Sequence, residues 1–285
     1  MVLAFLLCVL CGMIGTILAG LYFKDSMVDA WRIAGMMAAI FSGGIPNMQA
    51  VGIALEAENQ TIVLLNAADI FIGGFYLIFM TTIAIKILHL FLNKYLDGNF
   101  HLSKNKFQGI KIDFKNFLIS LVFALGIIGA SVGLSFLFYN ELAATFIILS
   151  LTTLSILLSR LSIIQSIEGT FEVGDYLLLM FCVAVGMMAN FNNILENGWQ
   201  IVQFMAMAWL ITVITHWFLC YLFKLDSDTV LIASVAAIYG PVFIGQIAST
   251  IDNRRLVFPG IALGLVGIAL GNYVGIFIAW LLRMV

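Results

Sequence analysis

Asp69 lies in "TIVLLNAADIFIGGFYL", a run otherwise apolar enough to cross a bilayer. A carboxyl at the centre of a membrane helix costs at least about 2.5–3.5 kcal/mol on insertion scales, so such a residue is expected to have a task. The chemistry open to it is carriage of a proton or of Na⁺. Asn66 stands three residues earlier and Gly73 four later, which puts all three on one helix face. The alternative is a structural acid bonded to a neighbouring helix.

A second group of candidates surrounds two breaks. In "AAIFSGGIPNMQAVG", residues 38–52, Gly43, Gly44 and Pro46 interrupt an apolar run, with Asn47 and Gln49 just after them. Glycine and proline are poor helix residues. The stretch has an echo in "AAIYGP", Ala236–Pro241, where Gly240 and Pro241 make the break and Gln246 and Ser249 follow. Freed backbone N–H and C=O groups cost several kcal/mol each in lipid, so a break is tolerated only against protein or in a wet cavity. Free N–H groups suit an anion and free carbonyls a cation. Matching Gly/Pro interruptions in two halves of a chain point to the binding site of a secondary transporter. The plainer alternative is a pair of kinked helices whose polar side chains cap helix ends.

Other residues read as structural. Gly260, Gly264, Gly267, Gly271 and Gly275 form a stripe for close helix packing. Asn272 adjoins it. His216 is mid-segment and is expected to be neutral and bonded to a neighbour, with proton relay as the alternative. Ser42 and Ser234 are expected to bond back to their own helices. Cys8, Cys11, Cys182 and Cys220 read as small hydrophobes. Asn190, Asn192 and Asn193 are expected to cap a segment, and the tryptophans at 199, 209, 217 and 280 to serve in interfacial belts or packing.

The elements that must position these groups follow from composition. Of 285 residues 63% are hydrophobic and only 10% charged, with mean hydropathy +1.12. The expected class is an all-α polytopic membrane protein. Nine candidate segments occur, Val2–Phe23, Ala30–Leu55, Thr61–Phe91, Phe117–Phe138, Leu142–Leu158, Asp175–Phe191, Trp199–Phe223, Thr229–Ile251 and Leu256–Leu282. The third is long enough to tilt or extend past the membrane. The organisation expected is a first repeat at 1–91 with its break at 38–52, a cytoplasmic Lys-rich loop at 92–116, and a second half at 117–285 with its break at 236–250.

The Lys-rich loop sets the orientation by the positive-inside rule. Simple alternation then puts Lys24, Arg160, Lys224 and Arg283 inside, and the connections near Glu56–Gln60 outside. Arg254 and Arg255 are exceptions, unless "VAAIYGPVFIGQIASTI" is a re-entrant hairpin. Counted as simple crossings, the two broken segments run in the same direction, whereas inverted repeats need opposite ones.

"IASVAAIYGPVFIGQIAST…LVFPGIALGLVGIALGNYVG" and "FSGGIPNMQAV" resemble the signatures of the YjcL-like membrane proteins, a family of unknown function. Val235 and Tyr239-Gly240-Pro241 stand where that pattern has Asn and Gly-Gly-Pro. The family is similar to the cation/proton antiporter and anion transporter superfamily. The resemblance implies an inverted-repeat transporter fold with two broken, crossing helices and a moving core. It also implies five segments before the Lys-rich loop. Only three are present, so N-terminal helices are expected to be lacking.

The function expected is an ion-coupled secondary active transporter of a small polar or anionic solute, in the cytoplasmic (inner) membrane. Na⁺ or H⁺ would couple it, with no bound metal or organic cofactor. Its partners would be the bilayer and the solute, with a homodimer as a further expectation and no nucleic acid. Alternatives are a Na⁺/H⁺ type antiporter without organic substrate, or a truncated non-transporting subunit. An enzyme is not expected: HExxH and Walker-type loops are absent. "EVGDY", Glu172–Tyr176, lacks the first glycine of an intramembrane aspartyl protease motif.

Overall fold

A computed structural model provides the fold. The structure describes residues 1–92, 114–167 and 198–285, with scattered residues between 170 and 187. The Lys-rich stretch from 93 to 113 lies outside the described residues, as do Asp175, Cys182, Asn190, Asn192 and Asn193. No strand occurs among the described residues. Five of their helices are long and apolar enough to cross a membrane.

The chain divides into two compact units. Residues 1–101 and 190–285 form the first and residues 102–189 the second. In the second unit, α5 (Phe114–Tyr139) and α6 (Ala144–Leu158) are consecutive apolar helices. Ser135 at the end of α5 closes the turn between them: its hydroxyl donates to the Glu141 carbonyl at 2.8 Å and accepts from Ala143 N–H at 3.0 Å.

The second unit also holds the short helix Ser162–Gln165, and among the described residues the first unit holds eight further helices. They are α1 (Val2–Phe23), α2 (Ala30–Gly43), α3 (Ile45–Ala54), α4 (Asn59–Phe91), α7 (Trp199–Leu222), α8 (Ser227–Tyr239), α9 (Ile244–Thr250) and α10 (Val257–Arg283). α4 contains a wider π turn at Met80–Ala84. Leu3, Leu6, Leu10, Ile14, Leu18 and Leu21 face outward along α1, while Cys8, Cys11, Gly12 and Gly15 face inward. An apolar outer face beside a small-residue inner face is the pattern of a helix in lipid. Gly15 allows the close approach of α7, since a Cβ there would stand 2.6 Å from the Ala208 carbonyl oxygen.

Each broken segment turns back on itself. α2 and α3 form a helical hairpin: the chain turns at Gly44 and returns beside its own start. Arg32 Nε donates to the Leu55 carbonyl at 3.0 Å, which ties the two ends of the hairpin together. α8 and α9 form a second hairpin, closed at its base by Asn253 Nδ2 donating to Asp228 Oδ2 at 2.9 Å. The first arms have 14 and 13 residues, about 20 Å each at 1.5 Å per residue and so shorter than a bilayer core of about 30 Å.

α10 shows that the hairpins come from opposite ends. Hairpin 2 packs on its first third: Cβ atoms at Gly260 and Gly264 would meet Ile232 and Pro241 N, each at 2.8 Å. Hairpin 1 packs farther along, where a Cβ at Gly275 would stand 2.7 Å from the Gly35 carbonyl oxygen and one at Gly35 would stand 2.6 Å from Ala279. The glycine stripe expected to be a packing face is one, and it serves both hairpins in turn.

This geometry corrects the simple alternation of crossings. Lys24, Arg32 and Arg283 share one end of the unit, where Arg32 and Arg283 lie over the Trp31 ring at 4.6 and 5.1 Å. Lys224, Arg254 and Arg255 share the other end through the base of hairpin 2, and the end of α4 meets them where His89 lies 4.0 Å from Asp228. Lys24 and Arg283 therefore do not lie with Lys224, and Arg254 and Arg255 cease to be exceptions. The physical reason is that a Gly/Pro break can reverse a helix as readily as kink it.

Candidate functional site

The two tips meet. Gly44 has φ 85° and ψ −169°, and Gly240 has φ 68° and ψ −153°. Both fall in the region that is essentially glycine's alone. A Cβ on Gly44 would lie 3.4 Å from the Ile238 carbonyl oxygen, and one on Gly240 would lie 3.9 Å from that of Gly43. Backbone carbonyls of both hairpins thus gather at one junction between the two ends of α10. Gly43, Gly44, Gly240 and Pro241 lie at this junction.

α4 brings Asn66 and Asp69 to the same region. Both are buried, at 3% and 5% exposure, on a face that continues through Gly73, Tyr76 and Met80. Gly73 places this face against the tip of hairpin 2, because a Cβ there would stand 3.6 Å from the Tyr239 hydroxyl and 3.7 Å from Asp69 Oδ1. α3 packs on the start of α4, with Gly52 close to Ile62. One turn inward from that contact come Gln49 on α3 and Asn66 on α4. Gln49 Nε2, Asn66 Oδ1 and Asp69 Oδ1 have no hydrogen-bond partner among the described residues. Each such buried group costs about 1–3 kcal/mol left unpaired, so a donor and two acceptors here constitute a capacity for a ligand.

Other expected members are elsewhere. Asn47 is spent on structure: its amide donates to the Ile268 carbonyl at 2.9 Å and the Gly267 carbonyl at 3.5 Å, binding hairpin 1 to α10. Gln246 and Ser249 are on the exposed face of α9, away from the tips. Ser42 and Ser234 bond back to Ala38 and Val230 at 2.7 and 2.8 Å. His216 is held between two neighbours, with Nε2 3.1 Å from the Ala4 carbonyl and Nδ1 3.3 Å from the Ser234 hydroxyl.

The structure adds an aromatic cluster that the sequence reading passes over. Trp209 lies 5.4 Å from Phe41, 4.5 Å from Tyr76 and 6.3 Å from Tyr239, measured between ring centroids. These rings come from α2, α4, α7 and α8 and close around the tips. Only the position of Tyr239 beside Gly240 hinted at it. Trp209 Nε1 is buried without a partner among the described residues. Gly129-Ala130-Ser131-Val132-Gly133 has the spacing of a serine nucleophile elbow, a pattern not expected from the sequence. Ser131 lies inside α5, whereas an elbow needs a strand-to-helix turn.

Comparison with known proteins agrees with this picture of a membrane protein. The chain is 25% identical over 283 residues to the uncharacterized membrane protein YjcL of Bacillus subtilis (strain 168), covering 93% of this chain and 71% of that protein. No solved structure matches it. Across residues 1–285 the sequence fits one family throughout, and the chain belongs to it: the family described as protein of unknown function, DUF819.

Proposed function

We propose that the protein is an ion-coupled secondary active transporter that moves a small polar or anionic solute by alternating access. α1, hairpin 1 and α4 form one helix–hairpin–helix repeat, and α7, hairpin 2 and α10 form its inverted counterpart. The observation that carries this reading is the meeting of two matched glycine tips beside the unpartnered Asp69, with the unpartnered Gln49 on hairpin 1 and Asn66 on the same face of α4. Backbone groups at the tips face the solute, and Asp69 takes Na⁺ or H⁺. Irregular backbone at membrane depth belongs where it lines such a cavity. The end that carries Lys224, Arg254, Arg255 and the start of the Lys-rich stretch faces the cytoplasm, which suits the inner membrane of a bacterium.

One observation favours the second reading, an antiporter that carries only ions. The buried charged side chains among the described residues include Asp69 and Asp228 but no Lys or Arg. A site so charged takes a cation readily and gives an anionic solute no counter-charge.

Thermal unfolding of the purified protein in detergent tests both. A ligand that binds only the folded state stabilises it by about 2.7 kcal/mol at a hundred times its Kd. Na⁺ or a pH change should raise the melting temperature of the parent and leave Asp69→Asn unmoved. One stabilising metabolite from a panel then supports solute transport, and an ion response alone supports the antiporter. A folded protein that responds to neither is not a working carrier.

A further inference from the structure

The hairpin tips match in backbone and differ in one side chain. Gly43-Gly44 ends the first arm of hairpin 1, and Tyr239-Gly240 ends that of hairpin 2. Tyr239 thus occupies the place of Gly43. Gly43 has no room for a side chain, since a Cβ there would stand 2.7 Å from the Gly267 carbonyl oxygen. The side chain of Tyr239 instead reaches across to α4. Its hydroxyl donates to the Gly73 carbonyl at 2.6 Å, and its ring lies against Tyr76 and Phe243 at 6.5 and 5.5 Å between centroids. The hydroxyl and the unpartnered Asp69 Oδ1 border the same small gap over Gly73.

The two hairpins are also held differently. Both faces of hairpin 1 are buried over most of its length, and Asn47 fastens its tip to α10. Hairpin 2 has a seven-residue second arm with Gly245, Gln246, Ser249 and Thr250 exposed, and Gly245 has open space beside it. Apart from packing, the polar contacts of this tip reduce to the tyrosine hydroxyl.

We infer that Tyr239 is a bolt on the Asp69 site: its hydroxyl fastens the tip of hairpin 2 to α4 at Gly73, and its release exposes Asn66 and Asp69. The inference rests on the transporter reading for its purpose, and on the hydrogen bond for its geometry. Hairpin 1 stays fixed on α10 while the tip and second arm of hairpin 2, whose first arm is buried from Ser227 to Ile238, move.

Cysteine labelling tests it without any transported solute. Cys8, Cys11, Cys182 and Cys220 are replaced by alanine, and one reporter cysteine is introduced by Asn66→Cys, with Asp69→Cys as a second reporter. The probe is a small cationic methanethiosulfonate reagent. Tyr239→Phe keeps the ring and removes the bolt, so labelling of either reporter should run about tenfold faster, the factor that one buried hydrogen bond is worth. Gly74→Ala, one residue on and with open space beside it, should leave the rate at that of the parent. Ile33→Cys, buried in hairpin 1, reports general loosening and should stay unreactive in both backgrounds. Equal rates with Tyr and Phe would overturn the bolt, and so would an equal rise at position 33. Loss of the Na⁺ effect on melting of the parent would count against ion coupling and leave the labelling result standing.

Discussion

Gly44 and Gly240 need glycine for their backbone, whereas Gly267 and Gly271 need it for room. A Cβ on Gly44 or Gly240 would find ordinary contact distances. Alanine there should therefore cost only the strain of a positive φ, about 1–3 kcal/mol, and both variants should fold with a lowered melting temperature. On α10 the situation reverses. The backbone is helical, but a Cβ at Gly271 would drive into the Asn47 amide and one at Gly267 into the Ser42 carbonyl. The Ser42 carbonyl is backbone and cannot retreat, so Gly267→Ala should fail to give a monodisperse peak in detergent gel filtration, whereas Gly271→Ala displaces the Asn47 amide from its carbonyls and should lower the melting temperature. Gly74 is the control: nothing lies within 4 Å of its would-be Cβ, and alanine there should be neutral or stabilising by up to about 1 kcal/mol. A similar split applies to the polar residues. Asn47→Ala leaves two buried carbonyls with a lost donor and should lower the melting temperature. Gln49→Ala removes a group that has no partner to lose, and should not, provided no ligand is present.

At the scale of the element, the hairpins predict an exchange pattern. α3 is largely buried and clasped by Arg32 and Asn47, while α9 is short and exposed along one face. Amide hydrogen exchange read by mass spectrometry should be markedly slower across Ile45–Ala54 than across Ile244–Thr250. Asp228→Ala should speed exchange in the second segment only, because it cuts the Asn253 tie at the base of hairpin 2. Equal exchange in the two arms would mean that hairpin 2 is as firmly held as hairpin 1. The positions of both breaks were legible in the sequence, since Gly and Pro in an apolar run leave few other readings. Their direction was not. A Gly/Pro break looks the same whether the chain continues or returns, and only the short arms separated the two cases. Asp69 and Asn66 were legible as polar intruders. Gln246 and Ser249 were misplaced because the echo between the breaks suggested matching roles, yet α9 turns them outward. Tyr76 and Trp209 were passed over because an aromatic residue in an apolar helix reads as packing until its neighbours are known.

At the scale of the whole molecule, two hairpins that return to their own side change which loops share a side. Lys24 and Glu56 fall at one end of the first unit because Arg32 joins the start of hairpin 1 to Leu55. Lys224 and Arg254 fall at the other, because Asp228 joins the start of hairpin 2 to Asn253. Had each segment crossed, Lys24 and Glu56 would lie on opposite sides, and so would Lys224 and Arg254. The positive-inside rule acquires a simpler form as well. The end that continues into the Lys-rich stretch gains Arg254 and Arg255 beside Lys224, while Lys24, Arg32 and Arg283 share the opposite end. Single cysteines at 24, 56, 224 and 254, in a background without the native cysteines, decide the matter in intact cells with an impermeant thiol reagent. Positions 24 and 56 should label together from outside, and 224 and 254 should label only after the membrane is opened. Labelling of 24 without 56, or of 224 without 254, would restore simple crossings.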